Sequence, residues 1–243
     1  MISKNNIPEL PDFTTGEVIL INKQLRWTSF DIVNSLRIFL KYAYGHRKLK
    51  IGHAGTLDPL ATGLVIVCTG RKTKEIDQYQ AQQKTYTGSL MLGKTTPSFD
   101  LETEPDQNFE TQHITAEMIH ETTQKFMGII RQAPPIFSAI KIDGKKAYNL
   151  ARANKPVEMR EREVEIFKFN ITKIEMPEVW FEVECSKGTY IRSLANDFGK
   201  AVGSGAYLAS LCRTAIGDYR NDDALTVDEF KKIFGKNEMN IEP

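Results

Sequence analysis

The run Gly52-His53-Ala54-Gly55-Thr56-Leu57-Asp58-Pro59-Leu60-Ala61-Thr62-Gly63-Leu64-Val65 constrains this chain more than any other stretch. One carboxylate, Asp58, stands among small, turn-forming residues that do not need it for packing or solubility. Pro59 fixes its own backbone and turns Asp58 out of the helical region, so the carboxylate is presented on a stiffened loop. Gly52, Gly55 and Gly63 leave room for another backbone or a ligand to approach. An isolated Asp-Pro would read as an Asx turn capping the next element. The glycines and His53 exceed what such a turn requires, and the run reads as an active-site loop.

A length of 243 residues admits one large domain or two small ones. Hydrophobic content of 41% and charged content of 26% are those of an ordinary globular protein. No apolar run approaches the ~20 residues of a membrane helix, so no membrane association is expected. Residues 1–16 are polar and contain prolines, which predicts a flexible leader rather than a secretory signal. Cys68, Cys185 and Cys212 are few, odd in number and scattered, which points to reduced core thiols and a cytoplasmic protein. His46 and His53 have no Cys or carboxylate at ligand spacing, so no metal site is expected.

The net charge of +1 hides an asymmetry. Between Ile32 and Leu57 there is no acid, while Arg37, Lys41, Arg47, Lys48 and Lys50 are interleaved with Phe39, Tyr42 and Tyr44. Between Thr95 and Gln124 the balance inverts, with seven acids and no Lys or Arg. A second basic region runs from Lys141 to Lys168. Basic segments on either side of the Asp58 loop suit a polyanion, because each Lys or Arg near a phosphate displaces a counterion. A solvated helix face would account equally well for the first of them.

Apolar spacing predicts strands over 17–22, 63–69, 84–92, 163–174 and 178–185, and helices over 29–41, 71–80, 116–127, 146–153, 189–202 and 228–234. Thr28 with Asp31 three residues on supplies the start of the first helix. Residues 93–109 read as a long polar loop. Pro134 and Pro135 keep 132–139 out of regular structure. For 207–215 periodicity does not separate strand from helix. Strands and helices intermix without a regular βαβ alternation, which predicts α+β with a mixed, largely antiparallel sheet flanked by helices.

Two further clusters carry chemistry. Lys84-Thr85-Tyr86 puts an aromatic beside a base on a strand. Cys185-Ser186-Lys187-Gly188-Thr189-Tyr190-Ile191-Arg192 is a strand–glycine–helix junction. Arg192 opposes the helix dipole there and calls for a carboxylate or phosphate partner. The chain lacks a phosphate-binding loop, a dinucleotide fingerprint and a zinc-deaminase signature. A cofactor-free enzyme using one carboxylate, or a binding protein, remains.

Gly52–Val65 resembles the signature of the TruB family of tRNA pseudouridine synthases, G-H-x-G-x-L-D-P-x-A-x-G. The resemblance extends to Lys84-Thr85-Tyr86, to Gln132–Lys141 (Q-x-P-P-x-[YF]-S-A-x-K), to Lys187–Arg192 (K-G-T-Y-[IV]-R) and to Leu211-Cys212-Arg213 (L-x-R). The family's K-P-x-G-x-[TS]-S is replaced by Lys23-Gln24-Leu25-Arg26-Trp27-Thr28-Ser29, which lacks the proline and glycine. The resemblance implies a pseudouridine synthase-like fold, with 17–243 as a single catalytic domain and no C-terminal PUA domain. It implies isomerisation of uridine 55 in the tRNA T loop after base flipping, by a monomer without cofactor. Asp58 would be the essential carboxylate, Arg192 its cationic partner and Tyr86 the base-stacking ring. Tyr190 and Leu211 would line the uracil pocket, and His53 would wedge into the RNA loop. Lys23 would contact phosphate or brace the Asp58 loop. A tRNA-folding chaperone, or a synthase acting on another RNA, are the competing readings.

Overall fold

The aliphatic runs Val18–Lys23 (β1) and Thr62–Thr69 (β3) pair antiparallel, Val18 opposite Cys68 and Lys23 opposite Gly63. They belong to a computed structural model that describes residues 1–46, 48–138, 141–142, 145–146 and 159–235. The chain divides into two compact units, Met1–Lys84 with Cys212–Pro243, and Thr85–Leu211.

In the first unit, β3 also pairs antiparallel with β2 (Ile51–His53) and parallel with the end of β12 (Ala206–Ile216). Enclosed by neighbours, β3 is buried from Gly63 to Thr69, which is why it reads as a continuous apolar run. Gly63 has φ +104, and a Cβ there would lie 2.4 Å from the Arg213 carbonyl oxygen, so only glycine fits. Helix α1 (Ser29–Tyr44) starts at a capping box: the Thr28 side chain accepts from the Asp31 amide and the Asp31 carboxylate accepts from the Thr28 amide. It buries Ile32, Val33, Leu36 and Leu40 and ends on Gly45 at φ +72. The helix expected over 71–80 is a 3₁₀ segment, Gly70–Glu75, followed by α2 (Ile76–Ala81).

The opening residues do not form the flexible leader that their polarity suggested. Ile2 donates its amide to the Val18 carbonyl and accepts from the Leu20 amide, and its side chain is buried. Phe13 is also fully buried, edge-on to Tyr44, Phe230 and Phe234 at centroid distances of 5.3, 6.0 and 6.1 Å. Two anchors at strand-like and aromatic contacts outweigh the intervening polar residues.

In the second unit the strand order is β12, β4 (Lys84–Leu92, of which Lys84 counts with the first unit), β11 (Glu178–Cys185), β10 (Arg162–Glu175) and β7 (Gly128–Gln132). The ambiguous 207–215 segment is thus strand. β11 alternates buried and half-buried residues, turning Val179, Phe181, Val183 and Cys185 inward. Phe169 and Phe181 meet Phe126 and Phe198 in one aromatic cluster, the last from helix α4 (Ile191–Ala201). Helix α3 (Ala116–Gln124) stops earlier than expected, and β7 follows it.

The polar stretch 93–109 is not a free loop. Lys94–Thr95 (β5) pairs with Gln107–Asn108 (β6), and Thr96, Ser98 and Asp100 are buried. Two short strands, Lys141–Ile142 (β8) and Lys145–Lys146 (β9), pair where the helix over 146–153 was expected to begin. The rest of that helix lies outside the described residues. The fold is α+β with a mixed sheet, as the intermixed elements predicted.

Candidate active site

In the first unit, the Asp58 loop leaves β2 and re-enters β3, and its neighbouring backbone groups are gripped from several directions. The Leu57 amide donates to Ser29 Oγ at 2.9 Å. The Pro59 carbonyl accepts from the Arg26 amide at 2.7 Å, and the Asp58 carbonyl from the Ala61 amide at 3.0 Å. Arg213, fully buried, donates Nη2 to the Gly55 carbonyl at 3.2 Å and Nε to the Leu64 carbonyl at 2.7 Å. A half-buried carboxylate is therefore carried on a loop with little freedom of its own.

Lys23 is 1% exposed and gives its ammonium to the carbonyls of Trp27 (2.7 Å), Gln24 (3.1 Å) and Pro59 (3.4 Å). These bonds tie the buried ammonium to the backbone beside Asp58. Burial lowers its pKa from 10.5 to about 8, against the pull of the Asp58 charge. The family's glycine position in the preceding turn is taken by Arg26 at φ +67, so the left-handed turn survives without glycine. His53, at the end of β2, has a lowered pKa, first through burial and secondarily through the Arg213 charge, which favours its neutral ring.

In the second unit, Tyr86 on β4 and Leu211 on the adjacent strand β12 are buried, at 8% and 9% exposure. Tyr190 is the N-cap residue of α4 and Arg192 stands in its first turn. Arg192 is buried and donates Nη1 to the carbonyls of Phe137 (3.0 Å) and Ser98 (3.3 Å). Its Nε lies 3.6 Å from Asp100 Oδ2, and Asp100 is buried too. A carboxylate partner of Arg192 is thus found in the stretch that reads as a long polar loop. Only the arginine's need for a partner pointed to it.

The junction before α4 is held from outside. Gln132, at the end of β7 and 1% exposed, accepts the Tyr190 amide on Oε1 at 2.8 Å and donates Nε2 to the Tyr190 carbonyl at 3.1 Å. Arg162 donates to the Gly188 carbonyl and lies over the Tyr190 ring at 4.7 Å. Ser193 Oγ donates to the Ala133 carbonyl at 2.7 Å. Gln132 and Ser193 therefore join the proline segment to the helix start, a link that spacing along the sequence does not reveal. No group of three or more metal-ligating side chains occurs among the described residues.

Residues 41–191 match the family described as TruB family pseudouridylate synthase (N terminal domain). A Flavobacterium johnsoniae protein named tRNA pseudouridine synthase B is 54% identical over 222 residues, 91% of this chain and 97% of that protein. A Phocaeicola vulgatus protein of the same name is 48% identical over 228 residues, 94% of this chain and 97% of that protein. A solved structure described as a Cbf5-Nop10-Gar1 complex superposes with a TM-score of 0.69 at 26% identity, over 90% of this chain and 54% of that one. These matches place the chain among the pseudouridine synthases, which are isomerases. Within that class, it belongs to the TruB family.

Proposed function

We propose that the protein isomerises uridine 55 in the T loop of tRNA, with Asp58 as the essential carboxylate. The observation that carries this is the Asp58 loop itself: backbone at Gly55, Leu57 and Pro59 is fixed by Arg213, Ser29, Arg26 and Lys23. Such fixing holds a reacting group near productive geometry without reorganisation during the reaction. The curated relatives named above are tRNA enzymes by name, which supports the substrate class.

The reaction breaks the bond from C1′ to N1, turns the uracil and joins C5 to C1′; C5 gives up a proton and N1 takes one. Atoms and electrons are conserved within one nucleoside, so no redox group or cofactor enters. Asp58 works at the reacting nucleoside, and the family resemblance gives Arg192, which stands beside Asp100, as its cationic partner. Tyr86 stacks on the everted base, a contact worth roughly 1–3 kcal/mol toward the cost of flipping. Tyr190 and Leu211 line the uracil pocket. The neutral His53 ring fills the place the base leaves in the RNA loop. In this reading the protein is a monomer that acts in the cytoplasm. Among the described residues no helix is long and apolar enough to cross a membrane.

Asp58→Asn tests the assignment, because it removes the charge and preserves shape. Tritium release from C5-labelled tRNA falls to background while filter-binding affinity stays within a few-fold. Normal turnover by this variant ends the mechanistic reading. Rescue of a deletion strain by the same variant would instead favour RNA refolding as the role.

A further inference from the structure

Gln132 is a polar side chain in the interior that gives one donor and one acceptor of its carboxamide to the same residue. Its Oε1 takes the Tyr190 N–H and its Nε2 gives to the Tyr190 carbonyl, at 2.8 and 3.1 Å. Among side chains of that length only a carboxamide has donor and acceptor side by side; Glu can only accept, and Met offers neither. The pair of bonds copies a rung of β-sheet and fixes both peptide planes of Tyr190, at φ −99 and ψ 110. Tyr190 is the N-cap of α4 yet has no side-chain capping bond of its own. The backbone angles that aim its ring are therefore set by Gln132.

The ring's other constraint is Arg162, whose guanidinium lies over it and also donates to the Gly188 carbonyl. Gly188 has φ +85, and a Cβ there would come within 3.5 Å of that guanidinium. Ser193 ties the same two segments together by a hydrogen bond to the Ala133 carbonyl. The two links can therefore be told apart by mutation.

We infer that Gln132 is a positioning residue for isomerisation, acting through Tyr190 by holding its backbone on both sides. This inference rests on the reading of Tyr190 as a wall of the uracil pocket. A misplaced wall displaces the base from its reactive geometry, and small displacements of that kind cost on the order of 10²-fold in rate.

The test is a double-mutant cycle on single-turnover conversion of a T-arm stem-loop RNA, with Gln132→Met and Tyr190→Ala. Each single variant is expected to slow conversion by roughly ten- to a hundred-fold, with RNA affinity within a few-fold. The double variant should be no slower than Tyr190→Ala alone, since there is then no ring to aim. Ser193→Ala, run in the same cycle, should multiply with Tyr190→Ala. Multiplying losses for Gln132→Met, or its wild-type rate, overturns the inference and leaves the pocket reading standing. A wild-type rate for Tyr190→Ala overturns the pocket reading instead. Should Gln132→Met fail to show a cooperative melt, Gln132→Glu, which keeps the acceptor for the Tyr190 amide, carries the same cycle.

Discussion

At the scale of single residues, the buried cations are the members whose roles are most sharply defined. Lys23 and Arg213 are enclosed, and their donors go to backbone carbonyls around the Asp58 loop. For Lys23, burial brings the ammonium down to about 8 from an ordinary 10.5. Between these values the unfolded chain still holds the proton and the folded protein has released it. Folding therefore releases a proton in that window, and stability rises with pH across it; below about 8 both states are charged and the dependence is flat. Melting curves of the wild type and Lys23→Met from pH 7 to 10.5 should show their difference moving in favour of the wild type as pH rises. A constant difference would mean that the buried amine titrates as it does in water. Asp100 makes the complementary case. Its burial beside Arg192 could not be read from an acidic neighbourhood, because composition there describes six other acids that do face water.

At the scale of elements, legibility tracked how one-sided each element's surroundings are. Helix α1 has a wet face and a dry face, so its spacing and its Thr28–Asp31 cap located it within three residues of its end. β12 is buried at most positions, and its apolar run was as compatible with helix as with strand. β7 is short and begins at Gly128, which reads as a helix stop, so spacing does not reveal it. The basic stretch was legible in charge but not in its aromatics: Tyr44 packs on Phe13 and gives its hydroxyl to the Phe234 carbonyl, and Phe39 meets Phe230, while Tyr42 stays exposed with Lys41 over its ring. The opening segment was misread because two apolar anchors among polar residues leave no periodic pattern. Phe13→Ala should lower unfolding free energy by about 3–5 kcal/mol, the usual cost of emptying a buried aromatic site. A loss under about 1 kcal/mol in urea titration would mean the segment frays after all.

At the scale of the whole molecule, charge is separated along the chain: bases before the Asp58 loop, acids across 100–121. Lys48 and Lys50 are exposed, as RNA-facing groups must be. Replacing Arg47, Lys48 and Lys50 with Gln should reduce the slope of log affinity against log salt by roughly 0.7–0.9 for each phosphate that they neutralise. An unchanged slope would assign these side chains to solvent. The motifs that mark the family are legible in the sequence, since each needs particular residue types in a row. What was not visible was what Asp100, Gln132 and Arg213 hold, because their partners lie 58 to 158 positions away.

The arginine at φ +67 bears on how such chains are recognised at all. A left-handed turn is easiest with glycine, yet here Arg26 adopts it while its amide reaches the Pro59 carbonyl. The bend is thus imposed by its surroundings and not by the residue that occupies it. Asparagine or glycine could replace that arginine with little disturbance, whereas a β-branched valine or isoleucine would collide with its own main chain. A search pattern that insists on glycine at this point would pass over molecules whose architecture is intact.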